Sequence, residues 1–385
     1  MAEELIKPVD RSGTESLKWG IYSPDILPMW VADMDFEVPE PIIEALQNRI
    51  SHKVFGYGMD LEELVEVVVD RMKELQNWDI EPESVLLLPG LVCGLNIACR
   101  VIGEDGDGVL VNTPVYPPFL TAPSNQRKIL QSAPQSYRMK DGYLHYDMDM
   151  KGLEDAVEEN TKLFILCNPH NPTGRVFTRQ ELLSLAEMCA RKNLLICSDE
   201  IHNDLLLGDN RHISIASLDP EIADRTMTFI APSKTYNIPG LGCSAAIIPN
   251  RELRLRVKAL FDGIVSQPNI LGMYAALAAY SSCQEWLDAL RVYLTGNRDF
   301  MVDFLQKHLP GIRTTLPEAT YLAWMDCRDC GIEGNPQKFF LEQARVALND
   351  GAMFGAGGEG FVRLNFGCSR ENLEEALNRM RKAMK

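Results

Sequence analysis

The sequence lacks any apolar run long enough to cross a bilayer. It also lacks an excess of positive charge: 54 acidic residues stand against 38 basic ones, a formal net charge of −16. That balance argues against a nucleic-acid binder and against attraction to anionic membranes. A phosphorylated ligand is still admissible, because a few cations and oriented backbone groups set the local field. No repeat, low-complexity tract or long linker interrupts the chain. The stretch Met1 to Gly20 is polar and mixed in charge, unlike a signal peptide. There is no Gly-x-x-x-x-Gly-Lys-Ser/Thr phosphate loop. The cysteines are scattered, and Cys93, Cys99, Cys167, Cys197 and Cys243 lie inside apolar runs. Reduced, buried thiols in a cytoplasmic protein are expected from this. Cys327 and Cys330 form one CxxC, with no second pair and no βαβ unit opening on it. Free thiols near a strand end are expected there, against a thioredoxin-like or zinc role; no metal site is expected.

What is present is an alternation of short apolar runs with amphipathic segments. Leu61, Leu64, Val65, Val68 and Met72 fall at helical spacing, as do Leu182, Leu185, Ala186 and Cys189. Short apolar runs cover Val85–Leu88, Gly108–Val111, Leu163–Cys167, Leu194–Cys197, Met227–Ile230 and Ala245–Ile248. Strands alternating with helices imply an α/β domain with a mostly parallel sheet. The C-terminal part has another rhythm: strands at Tyr321–Met325 and Phe361–Phe366, then a last amphipathic helix through Leu373, Ala376, Leu377, Met380 and Met384. Its 385 residues suit a large domain over 46–285. A smaller α+β domain is expected from 1–45 and 286–385.

Several polar residues follow directly on these apolar runs, where open α/β sheets place ligands. Lys234 follows Met227–Ile230. Such a lysine is ordinarily a solvated surface residue, but a fixed strand end with the hydroxyl neighbour Ser233 suits a Schiff-base lysine. Asp199 ends another run. It reads as a helix cap or as the buried carboxylate that faces a pyridine nitrogen and keeps it protonated. Asn168-Pro169-His170-Asn171-Pro172-Thr173-Gly174 is a turn by composition, and Asn171 could donate to a phenolic oxygen. His202 could sit beside the same oxygen or be a satisfied core histidine. Pro89 to Gly94 ends a strand and opens a helix over Leu91–Val101, whose free N–H groups suit a phosphate. Tyr116, among prolines, is a packing residue or stacks on a pyridine ring. Arg363, flanked by apolar residues on a strand, needs an anionic partner, and an α-carboxylate matches its fork.

In this order, these residues resemble the fold-type I pyridoxal-phosphate (PLP) enzymes, the aspartate aminotransferase superfamily, over nearly the whole chain. The stretches Arg11–Trp19, Leu27–Phe36, Phe55–Gly58, Ser198–His202 and Ser233–Gly240 resemble more narrowly the MalY/PatB group of carbon–sulfur β-lyases. The resemblance implies PLP on Lys234, homodimers with shared active sites, and a phosphate held by Val92, Cys93, Ser233 and the neighbouring subunit's copy of Tyr57. It places Ala32 and Asp33 near an amino-acid substrate. Many aminotransferases of this superfamily carry an arginine eight residues after the lysine; here that position is Gly242, as in the lyase group. The implied reaction splits a sulfur amino acid into a thiol, pyruvate and ammonia, with transamination to a 2-oxo acid as the alternative.

Overall fold

The computed structural model describes residues 5–261 and 264–385. Seven strands build the main sheet: β1 (Val85–Leu88), β2 (Gly108–Thr113), β3 (Ile129–Pro134), β4 (Thr161–Cys167), β5 (Leu195–Asp199), β6 (Thr226–Ile230) and β7 (Ser244–Ile247). Their order is β1-β7-β6-β5-β4-β2-β3. All neighbours are parallel except β7, which runs antiparallel to both β1 and β6. The central strands are buried on both faces, so they read as unbroken apolar runs. The edge strand β3 alternates exposed and buried residues and ends in Pro134. That polar alternation hides it from a search for apolar runs.

Helices cover both faces. The helix α1 (Leu91–Val101) packs against β6 so closely that a Cβ on Gly94 would lie 2.5 Å from the Phe229 ring. On the opposite face, α2 (Arg179–Arg191) starts with a capping box between Thr178 and Glu181 and buries Leu182, Leu185, Ala186 and Cys189. A 25-residue helix, α3 (Gln284–His308), buries Trp286, Leu287, Leu290, Leu294, Met301 and Leu305. After it comes an antiparallel sheet of β8 (Arg313–Thr314), β9 (Leu322–Asp326), β10 (Asn349–Asp350) and β11 (Phe361–Asn365), in the order β8-β9-β11-β10. The closing helix is α4 (Arg370–Ala383).

The N-terminal segment joins this second region. Leu27–Pro28 pairs in parallel with Val346–Ala347. Ile6, Met29, Met34, Phe36 and Ile42 share one core cluster with α3, β9, β11 and α4. The strap Met29–Phe36 is pinned through its backbone. Asn365 donates to the Val31 and Asp33 carbonyls, and Asn237 donates to those of Met34 and Phe36. Beneath the strap lies a buried ionic cluster. Lys18 Nζ meets Asp35 at 2.7 Å, and Arg11 bridges Asp35 and Asp33 at 3.1 and 2.9 Å.

Candidate active site

The C-terminal ends of β1, β2, β4, β5 and β6 converge on one edge of the main sheet, and the strap and β11 face that edge. Between them is a cavity of about 340 Å³. It is lined by Lys234, Ser233, Asp199, His202, Asn171, Tyr116, Val92, Arg363 and Ala32. Nine residues singled out in the sequence thus meet in one place, though they are spread over more than 300 positions.

Lys234 sits in the short helix Pro232–Thr235 that follows β6. Its Nζ donates to the Ala32 carbonyl at 2.6 Å. Burial, and then the nearby Arg363 cation, bring its pKa down to about 8, while Asp33 and Asp199 oppose the shift. This is no solvated surface lysine. Asp199 is the last residue of β5, and burial pushes its carboxyl up to about 7. One oxygen caps the turn by accepting from Ile201 N–H at 3.1 Å. The capping and the site readings of Asp199 therefore coexist. His202 is buried with no hydrogen-bond partner on Nδ1, and burial lowers its pKa to about 3. A satisfied core histidine is excluded; the ring is neutral and has polar capacity to spare.

Arg363 is buried on β11 yet touches no carboxylate among the described residues. It donates to Asn171 Oδ1 at 2.8 Å, to Asn349 Oδ1 at 2.7 Å and to the Trp30 carbonyl at 3.2 Å. Its Nε is unpartnered, and its guanidinium lies 4.9 Å from the Phe354 ring centre. Burial lowers its pKa to about 10. Because Asn171 Oδ1 is taken by Arg363, the Asn171 amide has its Nδ2 free to donate. Tyr116 precedes the helix Pro117–Asn125, and burial raises its phenol's pKa. At the mouth, Gly90 begins α1 with no side-chain cap and nothing within 4 Å of where its Cβ would stand. The N–H groups of the first turn are left open beside Ser233.

Three expected site residues stand apart. Cys93 lies in that first turn but outside the cavity lining. Asp33 turns its carboxylate to Arg11 at 2.9 Å, so its link to the cavity is electrostatic. Tyr57 is fully exposed and borders a separate cleft with Phe55, Gly58 and Ile270. In this one chain it reaches no part of the Lys234 cavity. Gly242 explains its own identity: φ is +57°, and a Cβ would lie 2.9 Å from the Pro89 carbonyl oxygen. An arginine there would be strained. Sequence reading missed Trp30, Asn349 and Phe354, which hold Arg363, and Tyr321, whose hydroxyl donates to Ala32 O at 3.0 Å. Asn349 carries no pattern that could have revealed it. The CxxC thiols are free and follow β9, with Cys330 Sγ bonded to the Cys327 carbonyl at 2.9 Å.

A lysine amine, an opposed buried carboxylate, an aromatic wall, spare donors and an unpartnered helix start fit an aromatic aldehyde bearing a phosphate. Fold and site together define a fold-type I PLP enzyme. The family model described as "Aminotransferase class I and II" matches residues 24–380. Cystathionine beta-lyase PatB of Bacillus subtilis (strain 168) is 40% identical over 98% of this chain and 99% of its own. The crystal structure of OvoB is 43% identical, covers 98% of both chains and superposes with a TM-score of 0.93. The crystal structure of cystalysin from Treponema denticola, which contains pyridoxal 5'-phosphate, is 34% identical with a TM-score of 0.93, covering 100% of this chain and 99% of that one. The chain belongs to the class I and II aminotransferase family, and within it to the MalY/PatB group.

Proposed function

We propose that this protein is a carbon–sulfur β-lyase that cleaves a sulfur amino acid into a thiol, pyruvate and ammonia. The observation that carries an amino-acid substrate is Arg363, a buried cation whose partners among the described residues are all neutral, on the same cavity as Lys234. The carbon–sulfur specificity is supported by the 40% identity to PatB over nearly the whole of both chains.

When bound, PLP supplies a carbonyl that condenses with amines and a ring that accepts electrons from the substrate's Cα. Lys234 would hold it covalently. The free Lys234 Nζ is then the base that takes the Cα proton; with a pKa of about 8, a useful share of it is unprotonated near neutral pH. Asp199 would hold the proton on the ring nitrogen. Asn171 Nδ2 and neutral His202 would meet the ring oxygen, and Tyr116 would cover a ring face. The first turn of α1, with Val92 and Cys93, and the Ser233 hydroxyl would hold the phosphate. Arg363 binds the substrate carboxylate and so orients Cα toward Lys234.

The working unit is a homodimer in which Tyr57 completes the neighbouring subunit's phosphate site. Full exposure of Tyr57 within one chain supports this. Residues 46–285 act as the cofactor domain, with 1–45 and 286–385 as a second domain. Shared packing of the N-terminal segment with the C-terminal elements supports that division. The protein works in the cytoplasm, a reading supported by ten free cysteines. No helix among the described residues is long and apolar enough to cross a membrane.

The test is to incubate the PLP-loaded protein with L-cystathionine and measure pyruvate and free thiol. Equal release of both is expected. Absence of both, with glutamate formed from an amino acid and 2-oxoglutarate, would make the protein an aminotransferase.

A further inference from the structure

Asn349 holds the Arg363 guanidinium at the cavity wall. A guanidinium has five N–H donors. Three of the bonds made by Arg363 go to Asn171, Asn349 and Trp30, and every acceptor is an uncharged oxygen. The shortest of the three, 2.7 Å, is to Asn349 Oδ1, and Asn349 lies directly opposite Arg363 in the β10–β11 register. The amide is fixed from its other end, where Nδ2 meets Met353 Sδ at 3.7 Å. Aspartate would fill the same volume at position 349 and make a stronger bond to Arg363. Three other buried cations meet carboxylates, Lys18 with Asp35, Arg71 with Asp204 and Arg175 with Glu181, while Lys128 meets the Glu104 carbonyl. At the cavity wall, the amide at 349 stands where a carboxylate would have completed the first kind of pairing.

We propose that Asn349 is a positioning residue that sets substrate specificity: its neutral amide aims the Arg363 guanidinium without cancelling its charge, so the site selects ligands that bring a carboxylate. The assignment rests on Arg363 being the carboxylate site. A burial cost that no internal anion offsets is recovered only when the ligand supplies the anion. The amide therefore trades stability of the empty site for discrimination in favour of carboxylates.

The test uses PLP-loaded protein and calorimetric titration with 3-(methylthio)propionate, which has the carboxylate and sulfur but no amine, and with its neutral amide. Asn349→Asp should weaken carboxylate binding on the order of 100-fold and leave amide binding within about threefold. Asn349→Ala should weaken carboxylate binding by about tenfold or less and keep the preference for carboxylate over amide. In turnover, both changes should fall on KM rather than kcat, because the carboxylate contact is common to ground and transition states. A residue serving only shape would show the opposite order, with the isosteric aspartate better tolerated than alanine. Equal or tighter carboxylate binding by Asn349→Asp than by Asn349→Ala overturns the proposal. If the aspartate variant does not fold, loss of the carboxylate preference in Asn349→Ala overturns it as well. Arg363→Met separates the two readings: wild-type affinity there would refute Arg363 as the carboxylate site, whereas lost affinity alongside an indifferent Asn349→Asp would refute only the role of Asn349.

Discussion

Two buried cations that touch the strap Met29–Phe36 are treated in opposite ways. Lys18 is fully buried and meets Asp35 at 2.7 Å, with Arg11 closing the cluster against Asp33 and Asp35. Arg363 is almost as deeply buried and, among the described residues, meets only amide and carbonyl oxygens. The first cation is satisfied from within and belongs to the architecture. The second is held in place but left electrically open, and it faces a cavity. A buried charge is informative about function when the protein orients it and does not neutralise it.

Perturbations should separate the compensated side from the open one. The largest effect belongs to the cavity: Lys234→Ala should lower turnover by at least about 10,000-fold and abolish covalent retention of PLP. Borohydride trapping followed by mass spectrometry reads the second outcome. On the compensated side, Lys18→Met leaves Asp35 Oδ2 without its partner while Arg11 still holds Oδ1, and should cost about 1–3 kcal/mol in urea unfolding of the apoprotein. Intact stability in that variant would erase the contrast.

The pH dependence of Asp199 gives the next effect. Burial pushes its carboxyl up to about 7 from the ordinary 3.8, so the folded form holds more protons between those values. Apoprotein stability should therefore fall as pH rises through that window. Asp199→Asn removes the dependence and should exceed wild type in stability by roughly 2–4 kcal/mol at pH 8, with no gain at pH 3.5. Urea melts of the apoproteins at the two pH values decide it, and a constant difference would contradict burial as the cause. Arg363→Met should act with the opposite sign to Lys18→Met. The apoprotein should gain about 1–3 kcal/mol while substrate KM rises. Destabilisation there would mean that Arg363 is already compensated. The smallest change is Gly242→Ala, expected to cost roughly 1 kcal/mol through its positive φ and the nearby Pro89 carbonyl.

The strands of the main sheet were legible because both of their faces are covered, which forces apolar runs at β1, β2, β4, β5, β6 and β7. The edge strand β3 was not, since one of its faces meets water. The helix α3 buries residues along its whole length but was hidden by polar residues between them. Among site residues, Lys234, Asp199 and Asn171 could be found because each ends a readable strand, where side chains emerge at the sheet edge. Asn349 sits on a two-residue strand with no periodicity, and the Ala32 and Trp30 contacts are made by carbonyls, which sequence does not mark. Tyr57 stood out only through likeness to a family, and within one chain it lies outside the cavity.

The sequence alone determined the α/β class and the order of chemical groups along the sheet edge, because these follow from residue type and strand periodicity; the kind of cofactor was implied by the resemblance to a known family. Tertiary structure alone decided which charges are cancelled. Whether a buried cation meets a carboxylate or an amide depends on contacts made in the folded chain, such as Asn171 with Arg363 across a separation of 192 residues, and no local pattern encodes them.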